Sequence, residues 1–346
     1  FPGRVSLNTG LHLTTGRGYY EEQKSDINPF EYGISDLFPS DPVINEMDIV
    51  QRKWLDNLFY GAVFSLIRQG DRTEWTFGGA MNRYDGDHFG RIKWLEYTGK
   101  VPPGYEWYRN NGLKDEFNVY GKVNTAVSGR LNAFLDLQLR HISYRFEGPD
   151  DDMKDLSGSH RFTFFNPKAG LFWSNGNGSE AFISAAVAHR EPTRSDFKEA
   201  AGDIDATPRR ERLTDFEGGY TYRNSRAALG VNLYYMQYHD QLVPTGKIST
   251  TGYPIMTNVP ESFRTGVELS GSYRPSTLAA MKMNLTLSRS SIRNFRNYFY
   301  NYNTDDWSEE YVFSDLGTVD IAYSPRITGS AELEVNPAEK LAFRLT

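Results

Sequence analysis

The 346-residue sequence contains no cysteine, no long apolar run and no excess of positive charge. Without cysteine, a disulfide scaffold and a thiolate metal site are both excluded. No stretch approaches the ~18 consecutive apolar residues that a membrane-spanning helix needs. The formal net charge of -6 argues against nucleic acid as a partner, because phosphate binding requires a basic face. A protein that crosses a membrane with β-strands passes these tests, since alternate residues of its strands face a polar lumen.

The common patterns of catalytic and metal sites are missing as well. An acidic run offers oxygen ligands of the kind that calcium prefers, but its spacing matches no calcium loop, which favours a solvated external loop. Neither H-x-H, H-E-x-x-H nor G-x-S-x-G spacing occurs. We therefore predict no enzyme activity, no cofactor and no metal site. The acidic run and the histidines are Asp150, Asp151, Asp152 and Asp155, and His12, His88, His141, His160, His189 and His239.

In the stretch MKMNLTLSRS, residues 281–290, apolar and polar residues alternate. A period of two predicts a β-strand with one apolar and one polar face. The pattern recurs along the chain, and no segment shows a convincing helical period. From Arg4 onward we count about fourteen strands, most of them longer than the ~5–6 residues common in soluble sheets and sufficient for the ~9–11 residues that a tilted strand needs to cross a membrane. The predicted fold class is therefore all-β.

Short and long connections alternate between these strands, as is typical of an up-and-down barrel, where all connections of one kind lie at one end. The short ones are rich in turn-forming residues, and the long ones are polar or aromatic. The predicted short turns are 70–72, 128–130, 175–179, 224–226, 275–277, 324–326 and 336–340. The predicted long loops are roughly 21–46, 85–111, 148–160, 191–211, 244–254 and 294–308.

Charged residues on the polar side of the strands indicate what each side contacts. Burying such charges in a dry core costs several kcal/mol each unless they are paired, whereas a wide, wet lumen carries them at little cost. The pattern therefore favours a transmembrane barrel whose apolar side faces lipid. A soluble β-sandwich, with its charges facing water, shows the same alternation and stays open as an alternative. The charges that define the polar side are Asp136, Arg140, Glu268, Arg274, Lys282, Glu332 and Glu334.

Three segments, 181–197, 208–243 and 258–275, resemble the β-barrel of TonB-dependent outer-membrane receptors. The first is a strand of small and aromatic residues that ends in a His-Arg-Glu-Pro-Thr-Arg segment before a loop. The resemblance is best over roughly 165–346 and weaker earlier. The residues that match the family's strand patterns are Glu211, Asp215, Glu217, Gly219, Tyr234, Tyr235, Tyr238, Asp240, Asn258, Gly266, Val267 and Glu268.

The resemblance implies an antiparallel up-and-down transmembrane β-barrel in the Gram-negative cell outer membrane. The family's barrel has twenty-two strands around an amino-terminal plug, so residues 1–346 would form a partial barrel of about 14 strands, without plug, first strands or last strand. The implied function is active transport of a scarce nutrient: a ferric siderophore or other metal chelate, cobalamin, or a glycan. The implied partners are TonB with its inner-membrane energising complex, outer-membrane lipid, the nutrient ligand and a surface lipoprotein. An outer-membrane porin, adhesin or barrel hydrolase, and a soluble glycan-binding sandwich, remain alternatives.

Two sets of residues are candidate sites. Aromatic residues in the long loops offer flat amphipathic surfaces for a sugar or an aryl chelator, although they also suit a membrane belt. They are Tyr105, Trp107, Tyr108, Tyr298, Tyr300, Tyr302 and Trp307. Charged residues of the lumen would face the transport path or the plug, and those near residue 190 would gate the lumen or simply fix the loop. They are Asp136, Arg140, Arg190, Glu191, Arg194, Glu268, Arg274 and Lys282.

Overall fold

A computed structural model describes residues 4–38, 44–200, 207–248, 254–276, 278–302, 309–338 and 341–346. In these residues, fourteen β-strands form one sheet, accompanied by one short α-helix and two 3-10 turns. In the described part, no helix is long and apolar enough to span a membrane. The strands are β1 Arg4–Ile27, β2 Met47–Gln69, β3 Thr73–Leu95, β4 Glu106–Ala126, β5 Leu131–Glu147, β6 Gly158–Ser174, β7 Ser179–Arg190, β8 Glu211–Arg223, β9 Ala227–Ile248, β10 Pro254–Ser276, β11 Ala279–Tyr302, β12 Glu309–Asp320, β13 Ile327–Ala338 and β14 Leu341–Leu345. The helix α1 is Arg194–Glu199, and the 3-10 turns are Pro29–Tyr32 and Ser35–Leu37.

Each strand from β1 to β11 pairs antiparallel with the next strand in the chain. The sheet is open, because its order runs from β1 to β14 without returning to β1. The predicted all-β, up-and-down architecture and the count of fourteen strands are confirmed. The sandwich alternative is wrong, since the strands form one continuous sheet rather than two packed ones.

Connection lengths separate the two ends of the sheet. At one end the strands are joined by short turns, such as 70–72, 127–130 and 224–226. At the other end lie longer connections, such as 96–105 and 148–157. The predicted alternation of short and long connections is therefore confirmed for most of the chain. We refer to the two ends as the short-turn end and the long-loop end.

Residues 324–326, predicted to be a hairpin turn, lie instead in a bulge. Strands β12 and β13 both pair antiparallel with β11, so together they form one crossing of the sheet. The backbone N–H of Ile321 donates to Ser290 at 3.0 Å, and that of Ser288 donates to Arg326 at 2.8 Å. Residues 322–325 therefore loop out opposite a single residue of β11. The Ser-Pro sequence interrupts pairing, because proline has no N–H to donate, but it does not reverse the chain here.

The apolar side of the sheet is uncovered. Met283 is 55% exposed, and Leu233 and Leu269 are exposed as well. On the opposite side, Lys282 forms an ion pair with Glu332 at 3.1 Å. The outward run on β11 from Met281 to Arg289 spans about 26 Å along the strand, or about 20 Å across a membrane at barrel tilt. This height approaches the ~25 Å apolar band of a transmembrane barrel.

A charge placed on the apolar side should destabilise the barrel, while the same charge on the polar side should not. We expect Leu269→Arg to lower the free energy of unfolding by about 2–4 kcal/mol, because the guanidinium would enter hydrocarbon. Its neighbour Ser270→Arg serves as the control, since it faces the lumen. Urea unfolding in phospholipid vesicles measures both. Equal destabilisation by the two variants would contradict the assignment of the two faces.

Candidate functional site

A cleft of about 980 Å³ opens on the polar side of β1–β5, at the long-loop end. Its roof consists of loop residues 148–157 and of a segment that we call the strap, residues 191–199, which contains α1. The cleft combines aromatic rings with cationic groups and one imidazole. The residues that provide these groups are Tyr20, Tyr84, Tyr108, Tyr144, Phe146, Lys53, Lys114, Arg194, Lys198 and His88.

Local sequence explains how the strap turns inward from the end of β7. Thr193 begins α1 with a capping box: its hydroxyl accepts from the N–H of Asp196, whose carboxylate accepts from the N–H of Thr193 at 2.7 Å. Pro192 precedes the cap and is fully buried. From the helix, Phe197 stacks on His160 with ring centroids 4.0 Å apart and contacts Phe146 at 5.7 Å. The apolar side of this single turn is thus held against β5 and β6.

Ion pairs fasten the strap to the loop above the cleft. Lys198 Nζ lies 2.8 Å from Asp150 and 2.7 Å from Asp151, and Lys53 Nζ lies 2.5 Å from Asp151. Burial alone would raise the pKa of Asp151, but hydrogen bonds from Lys198 and Lys53 outweigh it and lower the pKa to about 2. Burial alone would lower the pKa of Lys198, but its two carboxylate partners raise it. Both groups are therefore charged at neutral pH.

The acidic run, predicted to be solvated, is only partly so. The side chains of Asp150 and Asp151 are 4% and 12% exposed, whereas Asp152 and Asp155 are exposed. The prediction is wrong for the first two because amines from distant parts of the chain neutralise them. Among the described residues, no group of three or more His, Asp or Glu side chains is arranged to hold a metal ion.

A second anchor joins the start of the strap to the lumen wall. The carboxylate of Glu191, 8% exposed, accepts hydrogen bonds from Arg140 at 2.7 and 3.0 Å and from Lys114 at 2.9 Å. Arg140 also forms a two-bond pair with Glu116, at 2.8 and 3.0 Å. Burial alone would raise the pKa of Glu191, but hydrogen bonds from Lys114 and Arg140 lower it. Two of the predicted lumen residues, Arg140 and Glu191, are thus each other's partners.

The other charged residues near the strap are also paired. Arg194 donates to Asn110 Oδ1 at 2.7 Å and lies 3.4 Å from Asp150. Arg190 pairs with Glu211 at 2.9 Å, at the top of the neighbouring strand, and stays half-exposed. Both arginines thus have partners beside the strap, and the two roles predicted for them, gating the lumen and fixing the loop, stay predictions.

The remaining charged candidates lie on the polar side but apart from the cleft. Asp136 is opposite Lys122 and Lys168 on adjacent strands. Glu268 accepts from Asn232 Nδ2 at 3.2 Å, and Lys282 pairs with Glu332 as described. Arg274 lies at the short-turn end, where its N–H donates to Arg226 at 2.8 Å. These four residues are spread along the lumen wall and do not form one site.

The aromatic candidates of the second long loop support the fold. Trp107 and Tyr108 are 4% and 6% exposed and belong to a small core, in which the Trp107 ring lies 5.3 Å from Tyr32. Tyr105 packs against that core. Only Tyr108 reaches the cleft. The side chains of Tyr298, Tyr300 and Tyr302, at the end of β11, and all of Trp307 lie outside the described residues.

Several cleft residues were not predicted. Tyr20, Tyr84 and Tyr144 come from three different strands, and His88 and Lys114 lie between them. Their only signal in the sequence is their position on the polar side of a strand. That signal is shared by half of every strand, so it does not single them out.

This fold, one up-and-down sheet with an uncovered apolar side and a charged polar side, defines the class of transmembrane β-barrels. The family model described as TonB dependent receptor-like, beta-barrel matches residues 3–342. The chain belongs to the TonB-dependent receptor family. No curated protein sequence matches it.

Solved structures of the same fold cover almost the whole chain. A copper transporter, OprC, is 13% identical with a TM-score of 0.62, covering 94% of this chain and 46% of its own. The ferric-catecholate import receptor Fiu of E. coli K12 is 12% identical with a TM-score of 0.58, covering 97% and 50%. The ferric citrate transporter FecA is 10% identical with a TM-score of 0.57, covering 97% and 47%. The chain therefore spans about half the length of these structures.

Removing the amine of Lys198, which pairs with both Asp150 and Asp151, should detach the strap from the loop above the cleft. We expect Lys198→Gln to raise the rate of maleimide labelling at an introduced Ser195→Cys by roughly 10-fold or more, because two buried carboxylates lose a partner. Labelling is specific since this chain contains no other cysteine. Lys154→Gln is the control, because Lys154 is exposed and pairs only with Asp152. Equal labelling rates in both variants would show that the ion pairs do not hold the strap.

Lowering the pH should break the ion pairs that Asp151 forms with Lys198 and Lys53. The folded pKa of Asp151, about 2, lies below its usual value of 3.8, so its stabilisation is present above pH 3.8 and is lost as pH falls towards 2. The shift corresponds to roughly 2 kcal/mol. A fluorophore at position 195 should report opening between these pH values. Asp151→Asn should abolish that transition, and a variant that kept it would assign the transition to another group.

Proposed function

We propose that the protein works in the Gram-negative outer membrane as the barrel of an energised receptor that imports a scarce nutrient. Family membership supports the use of TonB as the energy-coupling partner. The uncovered apolar band supports contact with outer-membrane lipid. Enzyme activity is not part of the proposal, because no described group of residues suggests a catalytic site.

One observation carries the proposal: the cleft lies at the long-loop end of the lumen, beneath a strap held by ion pairs. Its tyrosines offer ring faces and hydroxyls, and its cations lie beside carboxylates that a ligand could replace. These groups suit an anionic metal chelate with planar groups. The proteins of similar fold named for copper, ferric-catecholate and ferric citrate support this class. Cobalamin and glycans are the alternatives, and a glycan would favour a surface lipoprotein as a further partner.

A row of polar residues on the lumen wall supports the docking of a plug domain. Asp215 and Arg264 lie on the polar side, in one cross-strand row with Met236 between them. Asp215 Oδ1 and Arg264 Nε are buried without a hydrogen-bond partner in the described part of the chain. Unsatisfied buried polar atoms are costly, so a plug that supplies their partners would stabilise the row. Asp136, Glu268, Arg274 and Lys282 would border the same surface.

Growth and binding of the full-length receptor test this function. A strain that depends on the receptor should grow on one ferric chelate, and loss of TonB should abolish that growth. Tyr144→Ala should weaken binding of that chelate about three- to tenfold, because a stacking surface is lost. Tyr220→Ala, on the outward side, should bind normally. Steady single-channel conductance together with TonB-independent growth would instead favour a porin.

A further inference from the structure

His88 is the single histidine among the described residues that line the cleft, and it lies on the polar side of β3. Its cross-strand neighbours are Leu55 on β2 and Asn110 on β4. The side chain of Asn110 accepts from Arg194 at 2.7 Å and donates to Asp150 at 3.1 Å, so it belongs to the roof. The imidazole therefore lies beside the contact between the strap and the loop over it.

This part of β3 extends beyond the lipid-facing band. The outward residues of β3 are apolar from Trp75 to Met81, with a glycine among them, and charged from Arg83 to Asp87. His88 follows on the opposite side, so it faces the mouth of the lumen rather than its narrow middle.

The imidazole of His88 has no hydrogen bond and no ring contact with any described residue. Neither of its ring nitrogens is among the buried polar atoms that lack a partner, so both reach the open space of the cleft. Other histidines differ: His141 Nδ1 lies 2.9 Å from Thr163 Oγ1, and His189 Nδ1 lies 2.9 Å from Asn166 Oδ1. An accessible imidazole without a partner is a donor that a metal ion can use.

The charge state of the site suits this role. Burial and the charges of Arg194 and Lys198 lower the pKa of His88 to about 4, so the ring is neutral at pH 7. Burial raises the pKa of Tyr84 and of Tyr108, so both phenols stay protonated. The tyrosines therefore donate hydrogen bonds, while the imidazole offers a lone pair.

The hydroxyl of Tyr84 points along the strand towards His88. Gly86 lies between these two residues on the same side of β3, and a Cβ at Gly86 would collide with the Tyr84 hydroxyl. The phenol thus lies across the glycine, with its hydroxyl on the side of the imidazole. From there it can donate to an oxygen of a molecule held at His88.

We propose that His88 coordinates the metal of the incoming chelate, so that the cleft selects anionic chelates whose metal keeps one coordination position open to water. The metal is cargo, and the chelator supplies its other donors. A metal–water bond breaks and a metal–nitrogen bond forms. The water leaves, and no proton or electron is transferred. Imidazole suits copper, zinc, nickel and iron alike, so the open position rather than the metal sets the preference.

Two copper(II) complexes test the proposal on the full-length receptor, purified in mild detergent without a histidine tag. Nitrilotriacetate leaves a position of copper to water, whereas diethylenetriaminepentaacetate fills the coordination shell and carries more negative charge. The receptor should bind the nitrilotriacetate complex roughly 10-fold tighter or more, because only that complex can accept a ligand from the protein. Electron spin echo envelope modulation should show the remote nitrogen of a coordinated imidazole in the bound complex.

His88→Gln should abolish both the preference and the imidazole signal. His141→Gln is the matched control, because His141 lies on the outward side and already bonds to Thr163. An imidazole signal that persists in His88→Gln, or equal binding of the two complexes by the unsubstituted receptor, would overturn the assignment. The inference rests on the proposed import of a metal chelate, but coordination is read from the spectrum and import from growth. Equal binding without an imidazole signal would therefore overturn His88 as a ligand and leave the cleft as an anion site.

Restoring the donor from solution provides a second test. His88→Ala leaves space for a free imidazole molecule at the same place, and heat-dependent electrophoretic mobility confirms that this variant is folded. Added imidazole should tighten its binding of the nitrilotriacetate complex, because the free ring supplies the missing donor. In the unsubstituted receptor the same addition should weaken binding, since imidazole competes for the open position. Weakening in both proteins would overturn the proposal.

Discussion

Antiparallel backbone pairing is the constraint on which the rest of this structure depends. A strand in hydrocarbon has no water to satisfy its N–H and C=O groups, so each strand must bond to its neighbours along its length. Pairing from β1 to β11 in chain order satisfies that demand. It also gives every strand two opposite sides, because successive side chains alternate. The lipid-facing band, the charged lumen wall and the position of the cleft all follow from this alternation.

The long-loop end differs physically from the rest of the wall. Along the lower lumen, charges form exposed cross-strand pairs such as Lys282 with Glu332. At the long-loop end, the strap and the loop over it bury their charges, and Asp151 bonds to both Lys198 and Lys53. Buried ion pairs contribute little net stability but cost much when one partner is removed. The ion pairs therefore hold this roof closed, and in the function proposed above a ligand that offers replacement charges would open it.

The outward side of the sheet is not uniform in composition. Its apolar residues need only hydrocarbon, yet the small residues Ala169, Ala185 and Gly218 and the charged Arg289 make one sector unlike a uniform apolar band. The bulge before β13 contributes to this sector, because it displaces four residues from the pairing and leaves Tyr323 almost fully exposed. A break in strand pairing thus becomes an exposed surface feature beside the apolar band.

The period-two pattern of stretches such as 281–290 determined the all-β class, the orientation of the sides and the order of the strands, because these follow from local alternation and turn chemistry. The same reasoning misassigned residues 324–326, since proline marks an interruption of pairing but not its direction. It also expected Trp107 in a ligand site and Asp151 in solvent, whereas Trp107 packs on Tyr32 and Asp151 binds two lysines. Only the tertiary structure could decide these points, because the partner of each side chain is distant in sequence. Local patterns specify which side a residue takes, and the fold alone specifies what it meets there.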